Sequence, residues 1–437
     1  MKPAISLAVS IVIVLTLAHP AAAQSYSVAN VSTGHPSPRA VENKGHVAGV
    51  FAAPTRPPQS HAFSWTKGGG NKDLGTLGGD DSAAFGINSS GQVVGQANAT
   101  AGGPDLAFLW SASGGMKNLG TLGGASSAAN AINGSGQVAG TAQLSTNFTH
   151  AFFWSAGGGL QDLGVLAGGQ QSGANAINSA GEIAGWANVG NVDHAITWTG
   201  SGGLADLGIV ANCGSTALGL NDSDEVVGWF NNSPSCGFTS HGFSWTKSGG
   251  LVDLGVLSGA QYSFAYGVNS TGQIVGEGDT SASAIVALLW TADGKIHDLN
   301  TLIAPGVKRT LVAANAINDA GQIVADATSV TGTGNYALLL TPIMKTTLTS
   351  SLNPSTEGQA VTFSATVSSI AGPPPNGEMV TFKMGTVVLG TSPLVNGVAT
   401  VTTSTLSVAS HKIYATYAGD AIYAPSKSLP LTQVVNK

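Results

Sequence analysis

The chain has 437 residues, only 9% of them charged, with a net charge of −6 and 61 glycines. A typical domain carries about a quarter charged residues. No cluster of Lys and Arg is present to hold a phosphate backbone, which excludes nucleic acid as a partner. The length allows two or three domains, and the wealth of Gly, Ala, Ser, Thr and Val predicts a β-rich extracellular chain.

The chain opens "MKPAISLAVSIVIVLTLAHPAAAQ". Lys2 gives a positive start, and the apolar run Ile5 to Leu17 is shorter than the roughly 20 residues a membrane span needs. An Ala-x-Ala pattern places cleavage between Ala23 and Gln24, so residues 1–23 are expected to be a signal peptide rather than a buried helix. With no cysteine at the cleavage site a lipid anchor is not indicated, and no later segment is long and apolar enough to span a membrane. The protein is therefore expected to be secreted or to reside in the cell envelope.

From there the chain repeats. Trp65, Trp110, Trp154, Trp198, Trp245 and Trp290 recur every 45 residues or so, each ending a short run such as "HAFSW" or "HAFFW"; a seventh copy, "YALLL", places Leu340 there. Before each run stands a segment such as "GINSSGQVVG", keyed on Glu42, Asn88, Asn133, Asn178, Asn221, Asn269 and Asn318. Asn followed by two small or polar residues and Gly is hairpin chemistry: Asn caps its own turn, and Gly takes positive φ at a bulge. After each aromatic run and a Gly-rich turn comes "KDLGTLGG" or a variant, in six copies. Each unit reads as four short strands, and that period marks a propeller blade. The missing seventh outer strand is expected at "SYSVANVSTG", with Asn30-Val31 where the other copies have Asp-Leu. The reading is thus all-β: a seven-bladed β-propeller over 24–343, the N-terminal strand closing the last blade and the Ala-rich strand innermost. A β-solenoid, which needs no such partner strand, is the rival architecture.

These units resemble the HAF-repeat family of extracellular bacterial proteins, named for the His-Ala-Phe triplet. The resemblance covers roughly residues 25–343 and implies export, with no general activity, cofactor or catalytic residue attached. The triplet is lost in blades two, six and seven, at Leu106, Val286 and Tyr336. Residues 344–437 change texture to alternating strands such as "AVTFSATVSS" and "HKIYATYAG". They predict an Ig-like β-sandwich and resemble bacterial Ig-like repeat domains, which implies a surface or adhesin-type module serving as spacer, dock or carbohydrate contact.

Candidate chemistry is thin. His61, His150, His194 and His241 share one repeated position; a single-use base has no need of four copies, so a structural role is expected, such as a bond to a backbone carbonyl at a strand start. Asp73, Asp162, Asp206, Asp253 and Asp298, with Asn118 once in their place, suit turn capping better than acid–base work. "NDSDEVVG", Asn221 to Gly228, lacks the Gly and Glu positions of a calcium loop and reads as a polar hairpin. Cys213 and Cys236 are the two cysteines and are expected to form a disulfide in an exported chain. No nucleophile elbow, metal motif or phosphate loop is found, so no catalytic residue, metal or cofactor is expected.

The loops between second and third strands vary most, so a ligand is expected on their face of the propeller, with Trp229 and Phe230 as candidates. The functional expectation is an exported, non-catalytic binding or adhesion protein with carbohydrate or a surface protein as partner. A carbohydrate-active hydrolase or lyase on the propeller, and a purely structural envelope component, are the alternatives. An enzyme would need acidic or His groups that break the repeat and converge.

Overall fold

A computed structural model describes residues 25–32, 36–53, 59–209, 213–233, 239–304, 306–330 and 334–437; the expected signal peptide lies outside them. Seven four-stranded antiparallel sheets follow one another as propeller blades. Blade two is typical, with strands Ser82–Ile87, Val93–Asn98, Asp105–Ser111 and Gly115–Gly120 hydrogen-bonded in chain order. Blade six ends in the short strand Ile296–Asp298 and one 3-10 turn. Blade seven takes three strands from Arg309–Ile317, Ile323–Ser329 and Asn335–Pro342, and its fourth is the N-terminal Tyr26–Ser32. The register there is the expected one: Asn30 lies opposite Leu338 as Asp73 lies opposite Phe63 in blade one.

Blades two to seven each turn on an Asn, and blade one on Glu42. In blade two the Asn88 Oδ1 accepts the amides of Ser90 and Gln92 at 3.1 and 3.0 Å, capping the hairpin. The fourth turn residue needs positive φ, met by glycine in six blades and by Asp224 at φ 60 in blade five. The side-chain amide does what the sequence reading did not foresee. Asn88 Nδ2 donates to the Asn133 carbonyl of the next blade at 3.0 Å. Asn133 does the same to Asn178, Asn221 to Asn269 and Asn269 to Asn318. Asn178 instead donates to the Asp224 carboxylate at 3.0 Å. Asn318 of blade seven donates to the Glu42 carbonyl of blade one at 2.9 Å. Glu42 has the turn-capping oxygen but no amide, and Lys44 Nζ makes the link to blade two through Ser89 O at 3.1 Å.

A second set of bonds joins neighbours near the opposite face. Ser82, Ser172, Ser215 and Ser263 open their innermost strands, Ser127 holds the matching position within Gly123–Ile132, and all five are buried. Each hydroxyl accepts an amide from the third strand of the preceding blade and donates to a carbonyl in the connection after that blade's fourth strand; Ser172, for example, takes the Ala151 amide at 2.9 Å and donates to Gly164 O. Between these polar rows lie apolar cores shared by adjacent blades, such as Ala62 and Leu74 with Phe108 and Trp110. Blades seven and one share one too, built from Val31, Val324 and Leu339 with Phe63 and Trp65. The repeated tryptophans pack between blades: Trp290 is 1% exposed and its Nε1 donates to Leu254 O of blade five.

The repeated histidines are structural in a different way from the one expected. Their partner is the repeated aspartate and not a backbone carbonyl. His61 Nδ1 lies 2.8 Å from Asp73, and His150, His194 and His241 meet Asp162, Asp206 and Asp253 at 2.8–2.9 Å. Each aspartate also caps the turn two residues on, as expected, taking the amides of Gly75, Gly164, Gly208 and Gly255 at 2.8 Å. Where Leu106 replaces His, Asn118 replaces Asp and keeps only the cap.

Residues from Lys345 onward form a three-stranded and a six-stranded sheet facing each other over one core that includes Phe363, Phe382 and Tyr417. This sandwich rests on the Asn-turn face. Gln273 Nε2 donates to Ile370 O at 3.2 Å, and a Cβ on Gly321 would stand 2.2 Å from that of Ala371.

The serine row gives a direct prediction. Ser172→Ala leaves the Ala151 amide without its buried acceptor, which costs about 1–3 kcal/mol. Thermal unfolding of the propeller should fall by several degrees. An unchanged midpoint would contradict the inter-blade role.

The axial pocket as candidate functional site

The innermost strands touch in sequence, that of blade seven touching that of blade one. Every one of them carries a β-bulge at the same place, three residues before the turn residue. The bulged residues are Arg39, Phe85, Asn130, Asn175, Leu218, Tyr266 and Asn315. A bulge leaves one residue out of the ladder and re-aims its side chain. Asn130, Asn175 and Asn315 use this freedom to bond the neighbouring blade, donating to Ala174 O, Ala217 O and Pro38 O at 2.8, 2.8 and 2.6 Å. The other four line a cavity of about 360 Å³ together with Asn315, Ala313, Glu277 and Asp326.

Glu277 and Asp326 come from second strands, at the position after "IVG" in blade six and "IVA" in blade seven. The residue just before this position is glycine in blades one to six, because a Cβ on it would stand 1.8–2.2 Å from a carbonyl oxygen across the ladder. Blade seven tolerates Ala325 through an additional bulge between Leu311 and Ala313, which sets Asp326 opposite Ala313.

The chemistry is concentrated on one side of the axis. Asp326 Oδ2 accepts from Asn315 Nδ2 at 2.9 Å and Ser37 Oγ at 3.2 Å. Burial raises the Asp326 carboxyl above its ordinary range, opposed by Asn315, the Arg39 charge and Ser37. Burial also raises Glu277, opposed by the Tyr266 hydrogen bond and reinforced by the charge of Asp326. Tyr266 is raised by burial and then by Glu277, so its hydroxyl stays protonated and donates. Blades two and five present Phe85 and Leu218 to the same cavity. Toward the Asn turns a second cavity is lined by Val41, Ile132, Ile177, Leu220, Val268 and Ile317.

The loop-face candidates fall elsewhere. Phe230 is 4% exposed, inside the core shared by blades four and five, and its ring meets His241 edge-on. Trp229 is half-buried and packs edge-on against Phe264 of blade six at 5.8 Å. Cys213 precedes the innermost strand of blade five, and Cys236 lies outside the described residues, as does the pairing expected of the two. Among the described residues no group of three His, Cys, Asp or Glu is placed to hold a metal, and no helix is long and apolar enough to cross a membrane. The polar hairpin of blade five serves packing: Asp222 Oδ1 accepts the Ser179 amide of blade four at 2.8 Å.

Asp326 supplies a pH test. A carboxyl raised in the folded chain binds its proton more tightly there than when unfolded. Stability therefore falls as pH rises from the ordinary aspartate value, about 4, through the raised one. Asp326→Asn removes this loss. It should gain about 1–3 °C over wild type at neutral pH by calorimetry, with the gain vanishing near about pH 3, below both values. An equal difference at both pH values would contradict the burial of this carboxyl.

No curated protein matches the chain. Among solved structures it is similar to the extracellular domain of the one-component system BT4673 from B. thetaiotaomicron, at 8% identity and TM-score 0.24, covering 90% of this chain and 74% of that one. A second structure, titled as the extracellular domain of the hybrid two-component system BT4673 of the same organism, shares 8% identity at TM-score 0.19 with the same coverage. The model of the family Bacterial Ig-like domain (group 3) matches residues 348–436. That match coincides with the two-sheet sandwich and identifies the C-terminal unit as a bacterial Ig-like domain.

Proposed function

We propose that the protein is an exported, surface-exposed and non-catalytic binding protein, with a closed seven-bladed propeller whose ligand site is the axial pocket. The observation that carries this reading is where the repeat varies. Turn, aromatic and outer-strand positions are nearly uniform, whereas the bulged position runs Arg, Phe, Asn, Asn, Leu, Tyr, Asn around the axis. Structural demands are alike in all blades, so diversity at one inward-facing position points to a ligand rather than to folding. A pocket of this size, part apolar and with a few convergent polar groups, fits a small molecule. Ring closure is supported by the Asn318–Glu42 bond and by the core shared between blades seven and one. The bacterial Ig-like match and the signal-peptide pattern support a surface location.

A catalytic reading has one observation in its favour: the axis brings together two repeat-breaking carboxyls of raised proton affinity, as an acid–base pair requires. Both carboxyls are engaged by protein donors, Asn315 and Ser37 on one and Tyr266 on the other, which suits recognition better than proton transfer.

The test is a thermal-shift screen of small polar metabolites and short oligosaccharides on the full chain, with product analysis of each hit. A hit at a hundred times its Kd should stabilise by about 2.7 kcal/mol, a rise of several degrees. Leu218→Trp, which fills the apolar wall, should abolish it. A shift that survives Leu218→Trp and is lost in Phe148→Ala on the loop face would overturn the axial site, and turnover of a hit would establish the catalytic reading.

A further inference from the structure

The axial pocket holds an imbalance that its own residues do not resolve. Arg39 is exposed to the axis, and among the described residues its guanidinium has no ion pair and no hydrogen bond. Its charge is nonetheless felt by Asp326 and by Tyr266. A planar fork of five N–H donors that shares a cavity with two carboxyls and ion-pairs with neither is the arrangement that takes a planar anion in bidentate fashion. In the adjacent blade seven, Asp326 uses only Oδ2 for Asn315 and Ser37, and its other oxygen takes no bond among the described residues. Glu277 stands beside it and feels its charge. Two carboxyls that press on each other are relieved by one added positive charge. Phe85 and Leu218 close the cavity with apolar surface.

We propose that the axial pocket recognises a small zwitterion, an α-amino acid or a dipeptide: its carboxylate on Arg39, its ammonium between Asp326 and Glu277, and its side chain against Phe85 and Leu218. This rests on the reading of the pocket as a ligand site and adds the ligand class. Neither charge suffices alone. An anion without an amine leaves the two carboxyls uncompensated, and an amine without a carboxylate leaves the guanidinium without an acceptor. Unmet polar groups in a confined site are what turn a modest preference into strong discrimination. A neutral sugar meets neither demand.

The experiment is calorimetric titration of the full chain with L-leucine, 3-methylbutylamine, 4-methylpentanoate and glucose. L-leucine should bind at least ten-fold more tightly than either singly charged analogue, and glucose should give no saturable heat. Arg39→Met should weaken L-leucine at least ten-fold while leaving 3-methylbutylamine unchanged; Arg39 is exposed, and an unchanged melting temperature verifies that the variant folds. Asp326→Asn should weaken the amine and L-leucine and spare 4-methylpentanoate. Equal binding of the amine alone, or L-leucine binding indifferent to Arg39→Met, overturns the zwitterion assignment. Saturable glucose binding that Leu218→Trp abolishes overturns the assignment while leaving the axial binding site standing. Absence of binding by all four probes overturns the assignment, and the wider metabolite screen then decides separately whether the pocket binds anything.

Discussion

One asparagine in each of blades two to seven ties the propeller together. Its side-chain oxygen fixes the hairpin it sits in, and its amide reaches the turn of the next blade, meeting a backbone carbonyl in five cases and the Asp224 carboxylate in the case of Asn178. A blade of four short strands cannot bury both of its faces, so it is stable only against neighbours. Asn supplies both halves of the solution because it carries an acceptor and a donor on one short, rigid side chain. Ser, Thr and Asp can cap a turn equally well but lack the paired amide hydrogens that cross to the neighbour. Blade one shows the consequence: Glu42 caps its turn, and Lys44 has to supply the missing donor.

With turns locked at one end and the serine row at the other, the middle of each innermost strand is relieved of holding the blades together. The bulge then turns one residue per blade toward the axis without disturbing the cores between blades. Three of the seven are asparagines that add further inter-blade bonds, and the remaining four carry the diversity. Charge is scarce in this chain, at 9% of residues, so the meeting of Arg39, Glu277 and Asp326 in one cavity is a concentration that folding does not require. A carboxyl whose proton affinity burial raises lowers stability at neutral pH, which is a common mark of a site kept for another purpose.

Much of the architecture was legible in residue spacing. The blade count, the strand order, the turn chemistry and the register of the N-terminal strand opposite Leu338 all follow from three recurring elements. The two-sheet C-terminal unit follows from alternation. The site was not legible in the same way, because the bulge that creates it leaves no local signal. In "SPRAVEN" or "SFAYGVN" the axial residue sits where plain alternation leaves its direction unresolved. Comparing the position three before each turn residue across the seven copies would have exposed Arg39 and Tyr266, and the position after "IVG" would have exposed Glu277. Variable loop length is the louder signal in the sequence, and of the aromatic side chains beside the longest loop Phe230 is buried between blades while Trp229 is half-buried against Phe264. The His–Asp pairing was also readable, because Leu106 and Asn118 change together in blade two.

Hydrogen exchange on the full chain carrying Asn318→Asp tests the inter-blade ring most directly. The substitution keeps the turn-capping oxygen and removes the amide that donates to Glu42 O across the join and to Gln322 Oε1 within blade seven. If the ring holds the blades, exchange should quicken both in the blade-seven turn and across the join in the blade-one hairpin around Glu42 and His46, by about ten-fold for each 1.4 kcal/mol lost, while blades three and four stay protected. Acceleration confined to blade seven, with the blade-one hairpin unchanged, would contradict it.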